Sequence, residues 1–528
     1  MIDYSSAKNF YSQNRYQECI DCCIQILSYH PSDVKTWQLC AFALYALGQI
    51  DKAIEYLEHS LSLYNDDNDK NDISLQISLG EMYRKAGNPE KAIAILSSCL
   101  PSQNPDLHFN LARALSDGKN HAQAIKHYHA VLAINPNDPL AWHNLGNQLL
   151  ELKDYQKACI AFKKSFEMGN ENAGINLAGV YSALFEEKQA LGIYESLWVK
   201  HSSDPYFCFN TANTLWATLD FDGAKDLYQK AISLLPDPIF YVNYAYLLLS
   251  LGEFEAGFRH YQKRLLLPNI LPLPIDTALI CEDFCDKNVL VYHEQGFGDS
   301  LMFARFLDML TPQVKSLSIY PQKPLHKVFE QQWGKCVKQK QADIPSYERA
   351  FSLLSLPAML GVRAVGLNRL ERCCQKPKNI KKIGLFFSSN RDFVYFAEKS
   401  IPPKLLLKSL KGFDLYSLQP EGIDEGLCKQ FGVKDLSHKI KNFDDTLTEL
   451  KTLDLLVSVD SAIVHLAGMY QIPTIVLLHK KYDWRWGRLG QVYPIKSPWY
   501  DSITGIAQER AGDWASVLEI LREYLKNV

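Results

Sequence analysis

The feature that most constrains this chain is a small side chain that recurs in similar surroundings through its first half. Ala53 lies in DKAIEYL, Ala124 in AQAIKHY, and Cys19 takes the same place in QECIDCC. The recurring positions are Cys19, Ala53, Ala92, Ala124, Ala158, Ala190, Ala224 and Ala256, with gaps of 34, 39, 32, 34, 32, 34 and 32 residues. Two helices of this length cannot bury their apolar faces alone, so successive pairs must stack. The period predicts an α-solenoid over residues 1–264.

The period and its decoration resemble the tetratricopeptide repeat. The residues that fit its first helix are Trp37, Leu47-Gly48, Leu79-Gly80, Trp142 and Leu145-Gly146, and those that fit its closing turn are Pro31, Pro136 and Pro236. The concave face of such a superhelix usually binds a peptide or a protein. The alternatives are that the array only supports the second half, or that it assembles the chain into a homo-oligomer.

A ladder of asparagines recurs near one place in the first helix of five successive repeats. Its members are Asn110, Asn144, Asn176, Asn210 and Asn243, with gaps of 34, 32, 34 and 33 residues. Each side-chain amide offers two donors and an acceptor, so the ladder could grip the backbone of an acceptor peptide. The alternative is that each asparagine fastens the neighbouring repeat.

Composition excludes several functional classes. A formal net charge of -3 predicts no strong attraction to nucleic acid. No apolar run reaches about 18 residues, so no membrane span is expected. The polar segment Met1 to Asn14 does not look like a signal peptide, and thirteen cysteines in 528 residues do not form a dense disulfide framework. These features favour a cytoplasmic protein with reduced cysteines.

The second half begins after a segment that cannot continue a helix, Leu265 to Asp276, which holds three prolines in LLLPNILPLPID. We therefore expect a linker at residues 265–287. Alternating apolar strands and amphipathic helices then predict two α/β lobes, at residues 288–375 and 376–528. Strands are expected at 289–293, 317–320, 350–352, 383–388, 415–419, 455–459 and 474–478, and helices at 402–410, 444–452, 461–470 and 512–527.

Two strand ends carry the residue types of a phosphate-binding site. After the first strand, Gly296 and Gly298 allow the backbone to turn tightly and to approach a ligand. After strand 455–459, Asp460 and Ser461 precede a helix, whose free N–H groups attract an anion. Ser461 could cap this helix and also donate to a phosphate oxygen, whereas the alternative for both residues is capping alone. Arg391 and Lys399 could neutralise a diphosphate, or could belong to a solvated loop.

Three segments together resemble bacterial tetratricopeptide proteins with a glycosyltransferase domain similar to the heptosyltransferases, family 9 of the glycosyltransferases. The segments are EQGFGDSLMFARFLDML from Glu294, LLVSVDSAIVHLAGMYQIPTIVLL from Leu455, and YDWRWGR with SPWYDSI from Tyr482. The resemblance implies a GT-B fold of two Rossmann-like lobes. The second lobe would bind a nucleotide-sugar, and transfer would be inverting, with no metal and no further cofactor.

The resemblance also implies roles for individual residues. Asp299 matches the candidate general base, and the loop that meets the donor phosphates gives Asp460, Ser461, Ala462 and His465. His465 could instead be an interior histidine, and Asp299 could only cap the helix that follows it, with Glu294 as the next carboxylate. Trp484, Arg485 and Trp486 could shape the cleft or join the lobes. We expect transfer to a protein or peptide acceptor recruited by the repeats. The alternatives are a transferase for a surface glycan or lipopolysaccharide and a non-catalytic repeat scaffold.

Overall fold

The computed structural model describes residues 3–63, 73–268, 284–365, 379–389 and 396–527. The chain forms two compact units, Met1–Val199 and Lys200–Val528. This division lies before the expected linker, and the last repeats share the second unit with the sheets. Because residues 269–283 lie outside the described ranges, the domain boundary at 265–287 stays a prediction.

The first unit consists of paired antiparallel helices. They are Tyr4–Ser12, Tyr16–Tyr29, Val34–Ala46, Ile50–Ser62, Ile73–Lys85, Pro89–Ser98, Pro105–Asp117, His121–Ile134, Pro139–Glu151, Tyr155–Glu167, Glu171–Ala183 and Glu187–His201. Local sequence explains several of their starts. Asn104 and Asp138 accept hydrogen bonds from backbone N–H groups of the first turn, and a proline follows each of them. Proline fits the first helical position because its missing N–H has no helical partner there.

Small residues and tryptophans explain why these helices stack closely. Ala53, Ala124 and Ala158 are completely buried. A Cβ added to Gly146 would lie 2.7 Å from the ring of Phe162, so only glycine permits this approach. Trp142 Nε1 donates to the carbonyl of Pro136 at 2.8 Å, which fastens a first helix to the closing turn before it. Trp37 and Pro31 make the same bond. One continuous core runs from Ala7 to Val180.

The second unit begins with two further helix pairs. Their helices are Pro205–Ala217, Phe221–Leu234, Pro238–Ser250 and Phe254–Tyr261, followed by a 3-10 turn at Gln262–Leu266. In the last pair the closely packed position is Gly257 and not the expected Ala256. Gly257 is buried, and a Cβ there would lie 2.7 Å from Leu249 Cγ, whereas Ala256 is partly exposed.

A three-stranded parallel sheet follows in the first lobe, with the order β2-β1-β3. Its strands are β1 (Asn288–Tyr292), β2 (Ser316–Tyr320) and β3 (Arg349–Ser352), and its helices are Phe297–Phe303, Leu307–Leu310, His326–Trp333 and Leu356–Met359. Val289 pairs with Leu317 on one side and with Arg349 on the other. The three expected strands of this lobe are therefore confirmed.

The second lobe contains a seven-stranded sheet, with the order β6-β5-β4-β7-β8-β10-β9. Its strands are β4 (Lys382–Phe386), β5 (Asp414–Ser417), β6 (Lys434–Asp435), β7 (Leu455–Val459), β8 (Thr474–Leu478), β9 (Ile495–Lys496) and β10 (Ile503–Ala507). Its helices are Phe396–Lys399, Pro403–Ser409, Glu425–Phe431, Phe443–Leu450, Ala462–Met469 and Trp514–Lys526. All strands are parallel except β9, which pairs antiparallel to β10. The sequence did not reveal β6, β9 or β10.

Both faces of the seven-stranded sheet are buried, because alternate side chains of each strand enter different cores. Val457 and Ile475 pack with the closing helix Trp514–Lys526. Leu456 and Val476 belong instead to a core that also includes Phe258 of the last repeat. The order in which the chain adds strands to the sheet reverses at β4, since β5 and β6 lie on one side of it and β7 and β8 on the other. The fold thus combines a helical repeat solenoid with C-terminal sheets; a GT-B assignment remains a proposal.

Candidate functional site

The loop after β1 carries the first group of predicted residues. Gly296 begins the helix Phe297–Phe303, and its N–H donates to Asp299 Oδ2 at 3.2 Å. A Cβ added to Gly298 would lie 2.9 Å from His465 Cδ2. Gly298 therefore allows this helix and the helix Ala462–Met469 to approach closely. Its predicted contact with a donor stays a prediction.

Asp299 forms an ion pair with Arg485, which joins the first lobe to the second. Arg485 also donates to Asp483 Oδ1 at 2.7 Å. Burial lowers the pKa of the Arg485 guanidinium, but the charges of Asp299 and Asp483 outweigh this effect and raise it well above its usual value. The guanidinium thus stays charged and neutralises the candidate base. Asp299 caps its helix as well, so the two expected roles are not exclusive.

The segment Trp484–Trp486 connects three parts of the second unit. Trp484 stacks on Tyr246 of the last repeat, with ring centroids 6.0 Å apart and an interplanar angle of 12°. Trp486 stacks on His465 of the second lobe at 5.5 Å. Arg485, between them, reaches Asp299 of the first lobe. The lobe-joining role considered for this segment is therefore present, together with a direct charge contact to the candidate base.

Asp460 and Lys399 form a second ion pair, at the end of β7. Lys399 Nζ lies 2.8 Å from Asp460 Oδ2, and the two side chains are 11% and 12% exposed. Burial raises the pKa of Asp460, but the charge and the hydrogen bond of Lys399 outweigh it and bring the pKa to about 2. The carboxylate therefore orients Lys399 at the end of β7.

Ser461 and Ala462 lie where the helix Ala462–Met469 begins. Ser461 is the N-cap residue, but its hydroxyl donates to the Val459 carbonyl at 3.2 Å and makes no side-chain cap bond. The expected capping by this hydroxyl is therefore wrong. The hydroxyl points instead to the strand end, where Ser458 Oγ also lies 3.3 Å from it.

His465 lies in the interior, which fits the alternative to its role at a phosphate. It is 4% exposed, and its Nδ1 lies 3.2 Å from the hydroxyl of Tyr500. Burial lowers its pKa to about 4, against the opposing charge of Asp460, so the ring is neutral near pH 7. His479, at the end of β8, is also buried with a pKa lowered to about 4. His479 was missed because its sequence surroundings carry no motif.

A cavity of about 490 Å³ lies beyond the carboxyl ends of β4, β5 and β7. Its walls include Phe386, Ser388, Ser389, Leu418, Gln419, Pro420, Glu421, Ile440, Lys441, Asn442, Phe443, Thr446, Ser461, Ala462 and Ile463 of the second lobe, with Phe297 and Pro324 of the first. Phe297 and Phe443 meet edge to face, with centroids 5.3 Å apart. Because strand order reverses at β4, the cavity occupies the place where open α/β sheets bind ligands.

Polar groups on one side of this cavity are already ordered. Gln419 Oε1 accepts from the backbone N–H of Ser388 at 3.2 Å, and Gln419 Nε2 donates to Glu421 Oε2 at 2.7 Å. The sequence analysis missed Gln419, Glu421 and Phe443. Gln419 is the last residue of the expected strand 415–419 and Glu421 lies two residues beyond it, so the strand-end rule could have found both.

The asparagines of the ladder make two kinds of hydrogen bond, one to a neighbouring repeat and one within their own helix. Asn176 Nδ2 donates to Asn147 Oδ1 of the preceding repeat at 3.0 Å, the fastening role considered above. Asn110 and Asn243 donate to carbonyls of their own helices at 2.9 and 3.0 Å. Asn144 and Asn210 are half-buried. Binding of an acceptor peptide by the ladder stays a prediction.

Arg391 lies outside the described residues. Among the residues that are described, no group of three or more His, Cys, Asp or Glu side chains is arranged to hold a metal ion. A search of the same residues found no helix with both the length and the apolarity needed to cross a membrane.

Comparison with family models identifies the repeats. Three models of the tetratricopeptide repeat match residues 33–104, 83–149 and 140–171. The N-terminal part is a tetratricopeptide-repeat solenoid. Repeats of this kind are scaffolds for protein interaction.

Comparisons with individual proteins find distant similarities, most of them over part of the chain. Protein FlbA of Caulobacter vibrioides is 22% identical over 530 residues, covering 90% of this chain and 82% of that protein. A Tonsoku-like protein of Bos taurus is 33% identical over 101 residues, covering 16% of this chain and 7% of that protein. A solved tetratricopeptide repeat protein from Parabacteroides merdae has a TM-score of 0.38 and 18% identity, covering 44% of this chain and 93% of that structure. These relatives do not assign an activity.

Proposed function

We propose that the second unit is a glycosyltransferase of the GT-B type, which moves a sugar from a nucleotide-sugar to a protein or peptide acceptor recruited by the repeats in the cytoplasm. The observation that carries the proposal is the cavity at the strand-order reversal of β4. It has apolar walls at Phe297 and Phe443 and opens to the start of the helix Ala462–Met469. A nucleobase fits the apolar part, and a diphosphate fits the helix start, where free N–H groups attract anions.

The chemistry needs few groups. An acceptor hydroxyl loses its proton to the Asp299 carboxylate while its oxygen bonds to the anomeric carbon. The bond between that carbon and the phosphate oxygen breaks, and its electrons leave with the nucleoside diphosphate. Lys399, oriented by Asp460, and the helix N–H groups stabilise this negative charge without a metal. Asp299 retains acceptor lone pairs, since each carboxylate oxygen can accept two hydrogen bonds.

A non-catalytic scaffold is the second candidate, and the Asp299–Arg485 ion pair favours it. Both oxygens of this carboxylate already accept hydrogen bonds, one from Arg485 and one from the Gly296 N–H, so an acceptor hydroxyl would have to compete with them. A transferase that acts on a surface glycan would use the same site with a different acceptor. The two catalytic candidates thus share one test of donor binding, and the scaffold predicts no donor binding at all.

A thermal-shift panel of UDP, GDP, ADP and CMP tests the proposal. A ligand that binds only the folded protein at 100-fold over its dissociation constant adds about 2.7 kcal/mol to the free energy of unfolding. We expect one nucleoside diphosphate to raise the melting temperature, and Phe443→Ala to reduce that effect. If no nucleotide in the panel raises it, the scaffold is the better reading.

Asp299→Asn tests the general base. Asparagine cannot accept a proton near neutral pH, so turnover should fall about 10²–10⁴-fold. Asp483→Asn is the matched control, because it removes the other carboxylate of Arg485 while leaving Asp299 in place. Both variants should lose stability through Arg485, but only Asp299→Asn should lose turnover to this extent. Equal losses of turnover in the two variants would assign the effect to Arg485.

A further inference from the structure

The last repeat places a buried arginine against the loop that carries Asp299. Arg264 is 1% exposed and Glu294 is completely buried. Arg264 Nε donates to Glu294 Oε1 at 2.8 Å, and Arg264 Nη2 donates to Glu294 Oε2 at 2.7 Å. Glu294 was the alternative to Asp299 as general base, but this buried and paired carboxylate cannot meet a substrate. The pair is bidentate, which fixes the direction as well as the charge of the carboxylate.

Hydroxyl groups complete the surroundings of this ion pair. Arg264 Nη2 also reaches Ser355 Oγ at 3.0 Å and Ser352 Oγ at 3.3 Å. Ser352 donates to Glu294 Oε2. The guanidinium lies over the ring of Tyr261, 4.5 Å from its centroid. Both oxygens of the Glu294 carboxylate thus accept hydrogen bonds from Arg264 of the last repeat, and one of them also from Ser352 of β3.

The next residue along the loop is held from the same repeat. Gln295 has a φ of 57°, in the left-handed region that non-glycine residues seldom adopt. Gln295 Nε2 lies 3.2 Å from the hydroxyl of Tyr261 and 3.3 Å from Glu294 Oε1. Gln322 Nε2 donates to the Gln295 carbonyl at 3.1 Å. Such a conformation persists where its surroundings determine it strongly.

We propose that Arg264 and Tyr261 of the last repeat are positioning residues for the loop from Glu294 to Asp299. The loop continues through Gly296, whose N–H donates to Asp299, so its direction determines where the Asp299 carboxylate lies. This inference rests on the proposed function for its catalytic consequence. That the last repeat holds this loop in place does not depend on the proposed function.

A double substitution separates positioning from stability. In the full chain, Arg264→Met or Glu294→Leu alone leaves one buried charge without its partner, and the melting temperature should fall. Arg264→Met/Glu294→Leu removes both charges, and apolar residues of similar volume often replace a buried ion pair without loss of stability. We expect the melting temperature of the double variant to recover. Arg259→Met, at an exposed pair in the same repeat, is the control.

The double variant should still have a displaced loop. Hydrogen exchange of the amides from Gln295 to Asp299 should be about tenfold faster than in the wild type, with exchange elsewhere unchanged. With UDP-glucose, ADP-glucose and GDP-mannose as donors, kcat for donor hydrolysis should fall about 100-fold. Wild-type exchange in this loop, or wild-type kcat in a double variant of recovered stability, would overturn the inference.

Tyr261→Phe is a milder second variant, since it removes only the hydroxyl that meets Gln295. Tyr244→Phe is its matched control. The Tyr244 hydroxyl accepts a hydrogen bond of 2.8 Å from Gln229 Nε2, and this bond does not involve the loop. We expect faster loop exchange only in Tyr261→Phe, and identical exchange in both variants would overturn the role of Tyr261. If the wild type binds no nucleotide, the proposed function fails, and loop exchange still decides the positioning of the loop.

Discussion

The repeats of the two units have the same helix pairs but different surroundings. In the first unit, the helix Pro139–Glu151 buries five of its thirteen residues, at Ala141, Leu145, Gly146, Gln148 and Leu149. In the second unit, the helix Pro238–Ser250 buries eight of thirteen, from Phe240 to Ser250. The extra burial comes from the sheets, because Val242, Ala245 and Leu249 belong to the core shared by both lobes.

This difference shows how a repeat can change from a module into part of a unit that contains sheets. A solenoid repeat contacts only its neighbours, so its stability is approximately a sum of local terms. The last repeat also contributes Phe258 and Tyr261 to the lobes, and Arg264 to a loop of the candidate site. Its removal should therefore disturb regions far away in the sequence.

The largest expected effect is on a chain cut at the linker. Residues 277–528 alone should not fold, because the cut exposes Phe303 and Trp484 and leaves Glu294 as an unpaired buried charge, a loss of about 3–5 kcal/mol. Residues 203–528 should fold. Circular dichroism and thermal unfolding of the two fragments check this. A cooperative transition in the shorter fragment would mean that the last repeats are as modular as the others.

The repeats of each unit contain a buried phenylalanine. Phe162 in the first unit and Phe258 in the second are 0% and 1% exposed. Each change to alanine should cost about 3–5 kcal/mol of unfolding free energy. Only Phe258→Ala should lower the transition of the unit that contains the sheets, since this ring meets Phe303 and Trp499. Calorimetry separates the transitions, and equal effects of both variants on the second unit would contradict the comparison.

Acid should destabilise the second unit through its two buried histidines. The pKa values of His465 and His479 are about 4 in the folded chain, against about 6.5 when unfolded. Between these values the unfolded chain binds more protons, so the free energy of unfolding falls as pH drops from 6.5 to 4, by about 3 kcal/mol per histidine at most. His479→Gln should flatten this dependence in denaturant titrations. The exposed His438→Gln is the control, and an unchanged slope in His479→Gln would exclude this cause.

The smallest expected effect lies in the asparagine ladder of the first unit. Asn176→Ala removes a half-buried hydrogen bond between repeats and should cost about 1 kcal/mol. Asn110→Ala, whose amide bonds only to its own helix, should cost less. Denaturant unfolding of both variants measures the difference. If Asn110→Ala costs more, the ladder does not fasten the repeats.

Local pattern predicted the elements well and the site less well. The strands β1, β4 and β7 were expected within a few residues, because a short apolar run bounded by polar residues suits a buried parallel strand. The neutralisation of Asp299 was not expected, since its partner Arg485 lies 186 residues away in the chain. Ser461 is the N-cap residue of its helix, but its hydroxyl bonds to the Val459 carbonyl at the strand end and not to the helix.

The sequence by itself determined the repeat period, the alternation of strands and helices, and the strand ends at which polar residues gather. These features depend on spacings of 2, 3.6 and about 34 residues along the chain, which can be counted in the sequence alone. The tertiary structure decided which charges meet. Arg264 with Glu294, Lys399 with Asp460 and Arg485 with Asp299 are brought together by the order of the strands and by the packing of the last repeat. No local spacing encodes such pairs, because burial and distance exist only once the whole unit has folded.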